Sequence, residues 1–225
     1  MPELAVEIPA PSQAVLRGGA ADGPAGAADP MPRVWAYATV FGALWGAVEI
    51  TLGAFLHALR LPLVGVLLAA FGSLILMSGL AIYPARGFAL RAGAVCMLLK
   101  LATPSFSFVV AACGILAEAL VVEVLAGRGR FGRLRAAFAG GCVALVPIAQ
   151  FLFDSCVIYG WDLVRIYRAA LERFVLWIDA PVAAAWGAVA VGLASIFAIG
   201  ALSALAGRHL GRQVVRLREG QDASA

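Results

Sequence analysis

Charge is what this sequence has least of. Aspartate, glutamate, lysine and arginine together make up 13% of its 225 residues, where a soluble domain carries about 25%. One lysine, Lys100, and two histidines occur in the whole chain. Hydrophobic residues reach 63%, well above the roughly 45–50% of soluble domains. That balance excludes a soluble globular enzyme, a disordered chain and a nucleic-acid-binding domain of the usual kind, and points to a polytopic membrane protein. Catalytic signatures are missing too: no GxxxxGK[ST] loop, no GxSxG and no HExxH. The four cysteines, Cys96, Cys113, Cys142 and Cys156, lie in apolar runs without a CxxC pair. They read as four small buried hydrophobes, with no spacing that closes a zinc tetrahedron. Residues 1–32 lack a basic segment followed by a compact apolar one, so they do not read as a signal peptide. Rich in Ala, Pro and Gly, they are expected to form a disordered cytoplasmic tail.

What is present is six apolar stretches near the length of about 20 residues that a bilayer requires. They run over about Val34–Ala58, Leu63–Ile82, Phe88–Ala102, Phe106–Ala126, Leu134–Tyr159 and Val182–Ala206. Lipid offers the backbone no hydrogen-bonding partners, so each is expected to be a helix. The third is short, a tight Thr103-Pro104-Ser105 turn follows it, and the fifth carries Pro147, a predicted kink. Arginines set the expected orientation. Arg86 and Arg91, the cluster Arg128, Arg130, Arg133 and Arg135, and the final group Arg208, Arg212, Arg216 and Arg218 fall on one side of a six-span bundle. The positive-inside rule makes that side cytoplasmic, with both termini inside a cell inner (plasma) membrane. The expected fold is therefore all-α: a six-transmembrane-helix bundle over residues 33–207, followed by a basic cytoplasmic C-terminal tail over 208–225. Between spans five and six, Leu163, Ile166, Tyr167, Leu171 and Phe174 recur at helical spacing among charged residues. This predicts an external amphipathic helix that lies on the lipid surface or caps the bundle.

Ionisable residues inside spans are costly and face the bundle interior or a cavity. Here they are Glu49, His57, Lys100, Glu118, Glu123 and Asp154, with Gln150 as a neutral companion. Under the six-span topology most of them collect in the outer half of the bundle. Glu49, Gly53 and His57 step by four and share one stripe, and so do Gln150 and Asp154. Lys100 has Glu49, Glu118 and Asp154 as possible partners. The alternatives are mutual neutralisation and a polar pocket for a small solute, with Trp161 or Tyr167 closing it from outside. A metal held by Glu49, His57 and Asp154 has no spacing to support it, so no metal or cofactor is expected. Glu123 and His57 are the residues that best suit a merely interfacial position. Span one also carries small residues, among them Ala43 and Ala47 on the face away from Glu49, and span six has Gly187, Gly192 and Gly200. Such stripes let helices approach closely.

Over residues 34–206, and most clearly over 38–125, the chain resembles the substrate-binding S components of energy-coupling factor (ECF) transporters. The resemblance rests on six short spans, glycine-rich second and third spans, a lysine closing span three, and Glu118 in the middle of span four. Ala43-Leu44-Trp45-Gly46-Ala47 matches the family's Ala-x-x-x-Ala pattern, which implies docking on a transmembrane coupling subunit. The resemblance further implies a solute held near the external side and toppling of the whole S component, driven by partner ATPase subunits. The expectation is thus a substrate-capture subunit, not an enzyme, for uptake of a vitamin, a vitamin precursor or a metal-containing compound. Its expected partners are that small-molecule substrate, membrane lipid, the coupling subunit and the ATPase subunits, with no nucleic acid. Glu49, Gly53, His57, Lys100, Glu118, Gln150, Asp154 and Trp161 are the candidate substrate-binding residues, and Ala43 and Ala47 the docking ones. Two other readings are a membrane scaffold without transport and an intramembrane enzyme using His57 with a carboxylate as acid and base.

Overall fold

The computed structural model describes residues 30–61, 63–102, 107–127, 131–160, 162–178 and 182–223. Seven helices and no strand lie among them. They are α1 (Pro30–Ala58), α2 (Val64–Ile82), α3 (Phe88–Leu101), α4 (Ser107–Ala126), α5 (Arg133–Tyr159), α6 (Asp162–Ile178) and α7 (Val182–Asp222). Among the described residues, α1, α2, α5 and α7 are each long and apolar enough to cross a membrane. The chain is accordingly an all-α protein with membrane-spanning helices. With 14 residues, α3 covers about 21 Å, short of a bilayer core of about 30 Å. The 20 residues of α4 reach about 30 Å.

α2 is the centre of the bundle. It packs on α1, α5 and α7, with α3 and α4 touching it more lightly, while α3 packs on α1 and α4, and α5 on α4 and α7. The share of buried residues in the best spanning window, 61% in α2 against 17% in α7, separates a helix ringed by neighbours from one that lies at the edge. Exposed Val40, Leu44, Phe71, Leu98, Leu120, Phe138, Phe153 and Leu202 form the apolar outer surface. In water such a surface drives aggregation, and against lipid tails it is satisfied.

Small residues decide how closely the helices approach. A Cβ placed on Gly140 of α5 or Gly200 of α7 would run into the other's carbonyl oxygen, so the two backbones are in contact there. Trp45 is fully buried in α1, and its indole occupies the space a side chain at Gly72 of α2 would need. The α1–α2 connection is strained: Arg60 (φ 51°) and Leu63 (φ 60°) both sit in the left-handed region, at about 1–2 kcal/mol per residue.

Several sequence expectations are corrected. Gly187 and Gly192 meet nothing within 4 Å, so of the three span-six glycines Gly200 alone packs tightly. The basic C-terminal segment is no separate tail but the end of one 41-residue helix, about 60 Å long. α1 starts at Pro30, inside the segment expected to be a tail; residues 1–29 lie outside the described residues. Of the four cysteines, Cys96 is buried, Cys142 half-buried, and Cys113 and Cys156 exposed. A thiol on the outer face of an apolar helix meets lipid and needs no protein cover. The amphipathic segment is helical as its periodicity predicts, and among the described residues α6 contacts only the adjoining α5 and α7. Its arginines form surface pairs, Arg165 with Asp162 at 3.7 Å and Arg168 with Glu172 at 3.0 Å.

The glycines supply a direct check. Gly200→Val is expected to push α5 and α7 apart and destabilise the bundle by about 1–3 kcal/mol. Gly192→Ala, in open space on a helix interior, is expected to stabilise it by about 0.5–1 kcal/mol. Thermal unfolding of both variants in one detergent measures the contrast, and equal shifts would contradict this packing.

Candidate functional site

The site grows from the contact between α1 and α3. Gly42 and Gly46 lie against Ala92 and Leu99, which brings the second half of α1 beside the last turn of α3. One turn beyond Trp45, Glu49 points towards that turn, and Lys100 meets it there. The Lys100 Nζ donates to Glu49 Oε2 at 2.9 Å and to the Glu49 backbone oxygen at 3.1 Å. Each side chain is only 7% exposed. Taking two charges out of water costs several kcal/mol per ion, offset when the partners are well placed. Gly53 contributes by being small: a Cβ there would stand 3.7 Å from Lys100 Nζ and 3.4 Å from Leu68 Cδ1.

Beside the pair lies a cavity of about 370 Å³, lined by Glu49, His57, Lys100, Glu118 and Gln150 together with Gly65, Leu68, Ala111, Gly114, Ile115 and Pro147. Five helices contribute to it. From α4, Glu118 is 6% exposed, and its Oε2 has no hydrogen-bond partner among the described residues. A buried carboxyl oxygen of this kind is satisfied by carrying a proton or by accepting a bond from something that enters the cavity. Gln150 of α5 reaches across to Gly114 of α4, where a Cβ would overlap its side-chain oxygen. His57 is exposed, and its Nδ1 donates to the Gly53 carbonyl at 2.7 Å. That bond leaves Nε2 of the neutral ring as an acceptor.

Glu49, His57, Lys100, Glu118 and Gln150 are thus brought together, with Gly53 behind the ion pair. Asp154 is half-buried and does not line the cavity. It is one turn past Gln150, and that turn carries it about 6 Å along α5 and about 40° around it. Trp161 lies outside the described residues. No group of three or more His, Cys, Asp or Glu that could hold a metal occurs among the described residues. Glu123 has a structural place: its carboxylate accepts from the backbone N–H of Gly87 at 2.5 Å and of Ala89 at 3.0 Å. It thereby caps α3 from the neighbouring helix and meets the positive end of its dipole. Ala43 and Ala47 are exposed on α1, on the side away from α3.

Sequence reasoning missed the apolar wall. Nothing in the pattern distinguishes Leu68, Ile115 or Pro147 from core residues, and Gly65 and Gly114 look like ordinary packing glycines. Pro147 carries a usable signal in hindsight, because a proline within a long membrane helix belongs where neighbours or a cavity accommodate it.

No family model matches the chain, and no curated protein or solved structure matches it either.

The ion pair can be tested without a ligand. Lys100→Met leaves Glu49 charged and buried, an expected loss of about 3–5 kcal/mol. Lys100→Met with Glu49→Leu removes both charges and is expected to recover most of that loss. A double-mutant cycle by thermal or denaturant unfolding measures it; additive effects would show that the pair is not coupled.

Proposed function

We propose that this chain is a membrane-embedded substrate-capture subunit of the ECF type, taking up a small micronutrient with energy supplied by separate ATPase subunits. The observation that carries the reading is the cavity in which polar side chains of α1, α3, α4 and α5 converge on one space walled by apolar residues. Its volume of about 370 Å³ falls at the small end of ligand sites, which run over roughly 300–1,000 Å³. An unpartnered Glu118 oxygen, the Glu49–Lys100 pair and the free acceptor of His57 suit a solute rich in hydrogen-bond donors or carrying positive charge. A vitamin, a vitamin precursor or a metal-containing compound fits that description.

In this reading α3 and α4 join the four long helices to make six spans. The arginine-bearing ends face the cytoplasm, both termini are inside, and α6 lies on the external side above the cavity. The exposed Ala43 and Ala47 on α1 form the flat face that docks on the transmembrane coupling subunit, which connects to the ATPases. Two polar faces on opposite sides of α1 would be costly in lipid. One polar face and one small-residue face suit a helix that binds solute on one side and protein on the other.

The experiment is solute binding and uptake with variants at each face. Glu118→Gln is expected to weaken binding of the co-purified solute by about tenfold or more, through loss of the carboxyl group's hydrogen bond to it. Ala47→Leu is expected to abolish pull-down of the coupling subunit while leaving solute binding intact. Unchanged binding in Glu118→Gln would remove the site, and an intact complex in Ala47→Leu would remove the docking face. The exposed small-residue face alone also suits a scaffold without transport. That reading predicts a partner lost on Ala43→Leu and no solute bound under any condition.

A further inference from the structure

A second cavity, of about 320 Å³, lies at the other end of the bundle. It is built where the C-terminal end of α2, the segment entering α5 and the last third of α7 meet. Leu80, Ile82, Pro84 and Val215 give it an apolar wall, and Arg208, Arg212 and Arg216 project into it at one-turn intervals along α7. Arg208 is the unusual member, because it is only 7% exposed. Its Nε donates to the Phe131 carbonyl at 3.3 Å, and its guanidinium lies 5.9 Å from the Phe131 ring centre. Those contacts fix the plane of the group and leave its remaining N–H donors for the cavity. None of the three arginines forms an ion pair with a carboxylate among the described residues. Glu219 and Asp222, further along α7, are exposed. The C-terminal end of the α2 dipole supplies about half a negative charge against three full positive ones.

Topology alone needs arginines near the membrane surface, but it does not need one buried in a cavity beside two others. We propose that this cavity is a binding site for a phosphate-bearing anion, with the three guanidinium groups on the phosphate and the apolar wall beside its organic portion. A planar guanidinium matches phosphate oxygens with two parallel bonds. The mixed wall favours an anionic phospholipid, whose phosphate and acyl chains occupy just this boundary. A soluble phosphate is the other source of the same chemistry. The site is independent of the proposed solute cavity: Leu68 and Leu80 of α2 line the two cavities and stand about 18 Å apart along the helix.

The test uses the full chain in nanodiscs of phosphatidylcholine, with and without phosphatidylglycerol, and in phosphatidylcholine with added inorganic phosphate. Melting temperature and native mass spectrometry of retained lipid are the readouts. Phosphatidylglycerol is expected to raise the melting temperature and to stay bound. Arg212→Gln with Arg216→Gln, both exposed and so compatible with folding, is expected to weaken retention by about fivefold per arginine. Arg165→Gln with Arg168→Gln on α6 is the control and is expected to leave retention unchanged. Stabilisation by inorganic phosphate in phosphatidylcholine, lost in Arg212→Gln/Arg216→Gln, supports the same site with a soluble anion as its occupant. No effect of either anion, or equal losses in the two double variants, overturns the proposal.

Discussion

One ion pair organises this bundle. Glu49 and Lys100 meet at 2.9 Å with almost no exposure, on helices that carry little other charge. Neither residue is tolerable there alone. Because each requires the other, the second half of α1 must lie beside the end of α3. That requirement explains the glycines and small side chains at their contact, Gly42, Gly46 and Gly53, which let the two backbones come near enough for a lysine to reach a carboxylate. The cavity is what remains beside the pair. Its other polar residues, Glu118 and Gln150, come from α4 and α5, helices positioned by their packing on α3 and on each other.

The residues that sequence reasoning singled out and the structure brings to one cavity are those whose chemistry is anomalous in lipid. A single lysine, a mid-helix glutamate and a histidine next to a helix end stand out against an apolar background, because each carries a cost that demands a partner. Residues whose role is shape did not stand out. Leu68, Ile115 and Gly114 wall the cavity, yet a leucine against a cavity and a leucine against a neighbouring helix have the same hydropathy. Rotation about a helix was legible only coarsely. Stepping by four links Glu49 to His57, which both line the cavity, and equally links Gln150 to Asp154, which does not line it. Apart from the C-terminal end of α7, the helices were legible to within a few residues, since each apolar run is bounded by proline, glycine or charged residues. The extension of α7 to Asp222 was not, because a basic amphipathic stretch continuing a helix reads like a tail after it.

The two cavities divide the polar chemistry of the chain by sign. At one end acidic oxygens predominate, with the only lysine already committed to Glu49. At the other, three arginines stand without acidic partners among the described residues. α2 runs between them as the most enclosed helix, and its buried stretch from Leu68 through Leu80 contains no charged residue. The fully buried Trp45, set against Gly72, fills the middle of this stretch. Two charge environments of opposite character thus lie at the two ends of an uncharged, largely buried stretch of α2.

The brevity of α3 has a consequence for how the chain is made. Fourteen residues ending near a lysine do not favour entry into lipid as an isolated segment. Both groups that make α3 acceptable there belong to other helices: Glu49 on α1 neutralises its lysine, and Glu123 on α4 caps its first turn. Glu49 is translated before Lys100, so the counter-charge is already in place when the lysine emerges. Glu123 is translated after α3 is complete, so that helix stays uncapped until α4 follows it. In the proposed six-span arrangement the middle of this protein therefore depends on three helices together, with α1 supplying the counter-charge for α3 and α4 its cap.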